Sequence, residues 1–141
     1  MTKPDELVQI AAKVGEILLD RGWRLAAVES CTGGWIAKTV TSLSGSSDWF
    51  ECGLVTYSNA SKESLVGVPG AMISRHGAVS AEVAEAMVSG ALERTGASAA
   101  VSVTGIAGPG GGTAEKPVGL VHLACAQRDG ATVHLEQRFG D

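Results

Sequence analysis

A chain of 141 residues with 45% hydrophobic side chains and a net charge of -4 has the size of one domain and enough apolar surface for one core. That excludes intrinsic disorder and leaves no room for a second domain, so residues 1–141 read as a single unit. The pI near 5.3 and the charged fraction of 18% speak against direct nucleic-acid contact through a basic patch.

The opening Met1-Thr2-Lys3-Pro4-Asp5 runs straight into an acid-bearing amphipathic pattern, without the apolar centre of a signal peptide. Three cysteines at 31, 52 and 125, with no Cys-x-x-Cys spacing, suit a reducing compartment and form no zinc pattern. A cytoplasmic protein is expected. Leu7, Ile10, Ala11, Val14, Ile17 and Leu18 predict a helix with one buried face, closed by Gly22. Arg24–Glu29 reads as a buried strand, Ser30–Gly34 as a turn, and Trp35–Val40 as the start of a helix ended by Gly45. Glu51–Tyr57 reads as a strand, followed by a short helix capped by Ser58-Asn59 and carrying Lys62 and Leu65.

Arg75-His76 before Gly77 marks a helix end, and Ser80 is a good N-cap for a helix over Ala81–Thr95 stopped by Gly96. Ala99–Thr104 is a second buried strand. The longest uncharged run, Thr95–Ala114, has 20 residues, but its six glycines and Pro109 make it strand plus loop, not a membrane helix. Val118–Gln127 and Ala131–Phe139 form a hairpin through Asp129-Gly130. Strands alternating with helices and then a hairpin predict an α/β fold, a three-layer α/β/α sandwich around a mixed β-sheet.

Three segments carry candidate chemistry. In Glu29-Ser30-Cys31-Thr32-Gly33-Gly34 a serine sits between a buried strand and a helix, at the sheet's carboxyl end where open α/β sheets place ligands. Ser30 is either a nucleophile or, with Thr32, a helix cap; Cys31 ranks second as nucleophile, and Glu29 is a candidate orienting carboxylate. The helix start offers N–H groups to an anion. Tyr57, the only tyrosine, precedes Lys62 by five residues. A serine nucleophile needs a base, and a desolvated lysine is one solution; a solvated lysine and a core tyrosine are the plainer reading. The third segment, Thr104-Gly105-Ile106-Ala107-Gly108-Pro109-Gly110-Gly111-Gly112, can wrap an anion with backbone amides, but matches neither a P-loop nor a dinucleotide fingerprint. His76, His122 and His134 are far apart and carry no motif, so no metal site is expected.

Taken together with Gly77-Ala78-Val79-Ser80 and Lys116-Pro117-Val118-Gly119, these segments closely resemble the CinA carboxy-terminal domain, the nicotinamide mononucleotide deamidase family, over nearly the whole chain. The resemblance implies an amidohydrolase that converts nicotinamide mononucleotide to nicotinate mononucleotide and ammonia without cofactor or metal, often as a homodimer. By motif position it implies Ser30, Lys62 and Tyr57 as catalytic residues. It implies Thr32, Gly33, Gly34, Asn59, Thr104, Gly105, Gly108, Gly110 and Gly111 as substrate-binding residues, with oxyanion donors either at the Gly33-Gly34 helix start or around Thr104-Gly105. Family members usually continue past Gly-Asp with an arginine and a further helix, so a terminal helix is expected to be missing after Gly140-Asp141. A non-enzymatic nucleotide-binding module is the rival reading; a DNA-linked role is weaker, given the acidic pI.

Overall fold

The computed structural model describes residues 3–140. In chain order these form helix α1 (Pro4–Arg21), strand β1 (Leu25–Glu29), helix α2 (Trp35–Thr41), a 3-10 turn (Ser46–Asp48) and strand β2 (Phe50–Val55). Helices α3 (Asn59–Val66), α4 (Gly70–His76) and α5 (Ala81–Arg94) follow, then β3 (Ala99–Gly105) and the hairpin β4 (Leu120–Gln127) and β5 (Thr132–Arg138). The five strands lie in the order β2-β1-β3-β4-β5. β1 is parallel to β2 and β3, while β4 runs antiparallel to β3 and β5, so the sheet is mixed, as predicted.

β1 is buried at all five positions, which is what a central parallel strand covered on both faces requires. Its side chains alternate between two apolar clusters. Ala26 and Val28 join Ala100, Ala124 and Ala126 under α5, with Val66, Val68 and Ile73 from the α3–α4 segment. Leu25 joins Ala11, Leu18, Val40 and Trp49 on the opposite face. Helices on both faces make this the three-layer α/β/α arrangement.

α5 begins where the N-cap signal placed it. The Ser80 hydroxyl accepts from the Val83 amide at 3.3 Å and donates to the Gly77 carbonyl at 2.9 Å. Ser80→Ala removes both bonds and is expected to cost about 1 kcal/mol, read as a lower melting temperature with the fold retained. A loss beyond about 2 kcal/mol would mean that Ser80 does more than cap.

Three details depart from the sequence pattern. α1 buries Ala11, Gly15 and Leu18 but leaves Ile10, Val14 and Ile17 exposed. The reason is Trp49, whose ring lies so close that an ideal Cβ at Gly15 would stand 2.5 Å from it, drawing the contact onto the small side of the helix. β2 ends at Val55, two residues early, because Thr56 and Tyr57 turn their carbonyls to Lys62. In the β4–β5 turn Asp129, at φ 59°, takes the left-handed conformation, while Gly130 does not, although a type I′ Asp-Gly turn would place both there.

Candidate active site

Ser30 directly follows β1 at the sheet's carboxyl end, its amide bonded to the Val103 carbonyl at 3.0 Å on the neighbouring strand. Lys62 comes from α3, which starts because the Ser58 hydroxyl caps the Ser61 amide at 3.0 Å and stops at Gly67, φ 68°. Lys62 and Val66, one turn apart, share the buried face of that helix. The lysine is 1% exposed and its Nζ lies 2.9 Å from Ser30 Oγ, 2.7 Å from the Thr56 carbonyl and 3.2 Å from the Tyr57 carbonyl.

Burial pushes the Lys62 amine below the ordinary lysine pKa, and no carboxylate pairs with it among the described residues. A carbonyl can only accept, whereas a neutral amine has two N–H groups and one lone pair. In its neutral form Lys62 can give the two N–H groups to Thr56 and Tyr57 and turn the lone pair to the Ser30 hydroxyl. This arrangement can draw the proton from Ser30.

Glu29 fixes the serine's turn from the other side. It is fully buried, and its carboxylate accepts from the Thr32 hydroxyl at 2.6 Å and from the amides of Ile36 at 2.9 Å and Ala37 at 3.0 Å. Two sequence expectations are thereby corrected. Neither Ser30 nor Thr32 caps α2, whose N-cap is Gly34 without a side-chain bond. The first amides of α2 are also not open to an anion, because Glu29 already holds two of them. A lone acid inside an apolar strand was the available signal, since a buried carboxylate must find donors.

Cys31 stands beside the pair, but burial raises its thiol pKa, which disfavours the thiolate and leaves Ser30 as the better nucleophile. Tyr57 meets Lys62 only through its backbone; its side chain is 75% exposed and its phenol makes no hydrogen bond among the described residues. Asn59, the first residue of α3, is also exposed. The Thr104 hydroxyl is spent on the Ala78 carbonyl at 2.9 Å, inside the fold and not toward a ligand. Gly33 and Gly34 adopt φ of 60° and 107° in the serine turn, conformations that side chains resist.

Gly105 joins the two halves of the site. An ideal Cβ there would lie 2.9 Å from the Leu120 carbonyl and 3.2 Å from Cys31 Sγ, so only glycine lets β3 pass so close to the serine turn. Beyond it, Gly108, Gly110 and Gly111 shape a loop, with φ of 80° at Gly108 and 89° at Gly111. Gly110 and Gly111 border a cavity of about 660 Å³ that Ser30 and Lys62 do not line. Arg138 reaches this cavity from β5, and the sequence reading missed it because nothing local marks it. His122 is buried and its Nδ1 lies 2.8 Å from His134 Nε2, a structural pair on the hairpin. Among the described residues no three His, Cys, Asp or Glu side chains converge as a metal-ligand set, and no helix is long and apolar enough to cross a membrane.

A three-layer fold with a desolvated lysine on a serine hydroxyl, at the carboxyl end of a central strand, defines an α/β protein equipped to activate that hydroxyl. The chain belongs to the CinA C-terminal domain family, whose profile matches residues 7–141. It is 48% identical over 133 residues to the nicotinamide-nucleotide amidohydrolase PncC of Enterobacter agglomerans, covering 94% of this chain and 81% of that one. It is 57% identical over 115 residues to a putative competence-damage inducible protein of Symbiobacterium thermophilum, covering 82% of this chain but only 27% of that longer protein. The crystal structure of the competence/damage inducible protein CihA from Agrobacterium tumefaciens superposes with a TM-score of 0.93 at 47% identity, covering 96% of this chain and 82% of that one.

Proposed function

We propose that this chain hydrolyses the carboxamide of nicotinamide mononucleotide to nicotinate mononucleotide and ammonia, with Ser30 as nucleophile and Lys62 as base. The reaction class and substrate rest on the PncC relatives. The observation that carries the mechanism is the 2.9 Å contact between a buried lysine amine and a buried serine hydroxyl. Lys62 takes the Ser30 proton as Oγ attacks the carboxamide carbon. The C–N bond then breaks, Lys62 returns the proton to the departing nitrogen, and an acyl ester remains on Ser30. Water attacks that ester with Lys62 again as base, releasing the carboxylate.

The oxyanion falls to the amides of Cys31 and Thr32, which donate to no backbone carbonyl among the described residues and belong to the nucleophile's own turn. Tyr57 serves through its carbonyl, which holds the lysine's lone pair on target. A binding module would not need a buried lysine without a counter-charge, which is costly to keep, so that reading is disfavoured.

The test is ammonia release from nicotinamide mononucleotide, followed across pH. Only the neutral amine is a base, so the rate rises with pH along a limb whose midpoint reports the Lys62 pKa, below the ordinary value of about 10.4. Between that midpoint and the ordinary value the unfolded chain binds more protons than the folded one, so stability also rises with pH across this window. A rate without such a limb would refute Lys62 as base.

A further inference from the structure

We propose that the Thr56 hydroxyl is a reserve acceptor for the Lys62 amine, taking its third N–H once Ser30 Oγ is bonded to substrate, which makes Thr56 a positioning residue for the proton transfer. Its part in turnover rests on the function proposed above; the hydrogen bond itself rests on three observations. First, Thr56 is fully buried and its Oγ1 has no hydrogen-bond partner, alone in this among the buried side-chain polar atoms of the described residues. Most buried hydroxyls are paired, because an unpaired one loses its hydration without compensation. Valine has the same shape without that cost.

Second, the hydroxyl is on the lysine's side of the sheet. Val28 pairs with Leu54 and Glu29 with Val55 in the parallel β1–β2 ladder. The Thr56 amide donates to the Glu29 carbonyl at 2.8 Å, which carries the register one step on and sets Thr56 beside Ser30. Side chains alternate along a strand, so both stand on the face of Val28 and Leu54, against which α3 packs Val66. Neighbouring strands lie about 4.8 Å apart. Lys62 Nζ spans that gap, 2.9 Å from Ser30 Oγ and 2.7 Å from the Thr56 carbonyl. The orphaned hydroxyl thus belongs to a residue that already holds the amine.

Third, the acceptors run one short during the reaction. A lysine ammonium has three N–H groups, and in the free protein three oxygens can receive them: the Thr56 and Tyr57 carbonyls and Ser30 Oγ. When Ser30 Oγ gives its proton to Lys62 and bonds to the carboxamide carbon, it becomes a poor acceptor. One N–H of the new ammonium then lacks a partner, which is costly in a buried site. Rotation of the Thr56 side chain supplies a hydroxyl oxygen to it. The proton is held on Lys62 until the C–N bond breaks and the departing nitrogen takes it.

Ser30→Ala reproduces the loss of that acceptor without substrate. Proton binding by Lys62 is read by nuclear magnetic resonance from its side-chain Cε signal in lysine-labelled protein, assigned by its absence in Lys62→Arg. Relative to Ser30→Ala, adding Thr56→Val is expected to weaken proton binding about tenfold, since a hydrogen bond to a charged group is lost, and adding Thr56→Ser to leave it unchanged. The Cys31 thiol, the other titratable group facing Lys62, is the same in every variant. Alone, Thr56→Val should keep or raise the melting temperature yet lower kcat about tenfold with KM little changed, and Thr56→Ser should keep the wild-type rate. Equal proton binding with and without the hydroxyl, full kcat in Thr56→Val, or a Thr56→Ser protein that behaves like Thr56→Val overturns the proposal. Proton binding that depends on the hydroxyl, with no ammonia released by wild type, would keep the hydrogen bond and sink the amidase reading alone.

Discussion

Ser30→Ala is expected to lower ammonia release from nicotinamide mononucleotide about 10³-fold or more, with substrate still bound in calorimetry and the melting temperature little changed. Lys62→Ala should fall as far, because an isolated serine hydroxyl is a poor nucleophile and an isolated amine has no proton to take. The two changes act on one unit, so the double variant should be no worse than either single one. Lys62→Arg is the sharper test. Arginine keeps a positive charge and can still bond the Thr56 and Tyr57 carbonyls, but its guanidinium never becomes the neutral base that the 2.9 Å contact with Ser30 requires. Retention of a tenth of wild-type rate by Ser30→Ala, or of full rate by Lys62→Arg, would end the serine–lysine account.

Gly90→Ala is expected to be the most damaging single change outside the site. α5 passes so close to the end of α3 that an ideal Cβ at Gly90 would stand 1.7 Å from the Val66 carbonyl oxygen, and backbone cannot swing aside as a side chain can. The helices must part, at a cost of about 3 kcal/mol, or a melting temperature lower by about 10 °C. α3 carries Lys62 as well as Val66, so the same shift moves the amine from the serine, and a misplacement of about 1 Å can cost about 10²-fold in rate. Gly96→Ala is the control, since its nearest neighbour, Glu51 Oε1, is 4.0 Å away. Equal melting temperatures for the two variants would show that α3 and α5 are not packed as described.

Most of the fold was legible because its signals are local. The Ser58 and Ser80 caps, the stop at Gly22 and the apolar run Leu25–Val28 of β1 each follow from backbone donors and side-chain burial within a few residues. What was illegible depended on distant partners. The α1 pattern promised a broader buried face than it has, because Trp49 chose which side of the helix to press against. The α4 helix showed only its last residues, since seven residues without a side-chain N-cap leave little periodicity to read.

The site divides the same way. Sequence by itself determined the candidates Ser30, Lys62 and Tyr57, the glycine-dense loop and the α/β scaffold that puts a strand end behind the serine. Only the tertiary structure decided that Lys62 Nζ touches Ser30 Oγ, 32 positions away in the chain, and that Tyr57 meets Lys62 through its carbonyl. It also decided that Glu29 takes the first amides of α2 and that Arg138 arrives beside the loop. The physical reason is common to all four. Backbone carbonyls and amides are the same at every residue, so a contact made through them, or between strands far apart in the chain, leaves no mark in composition or spacing.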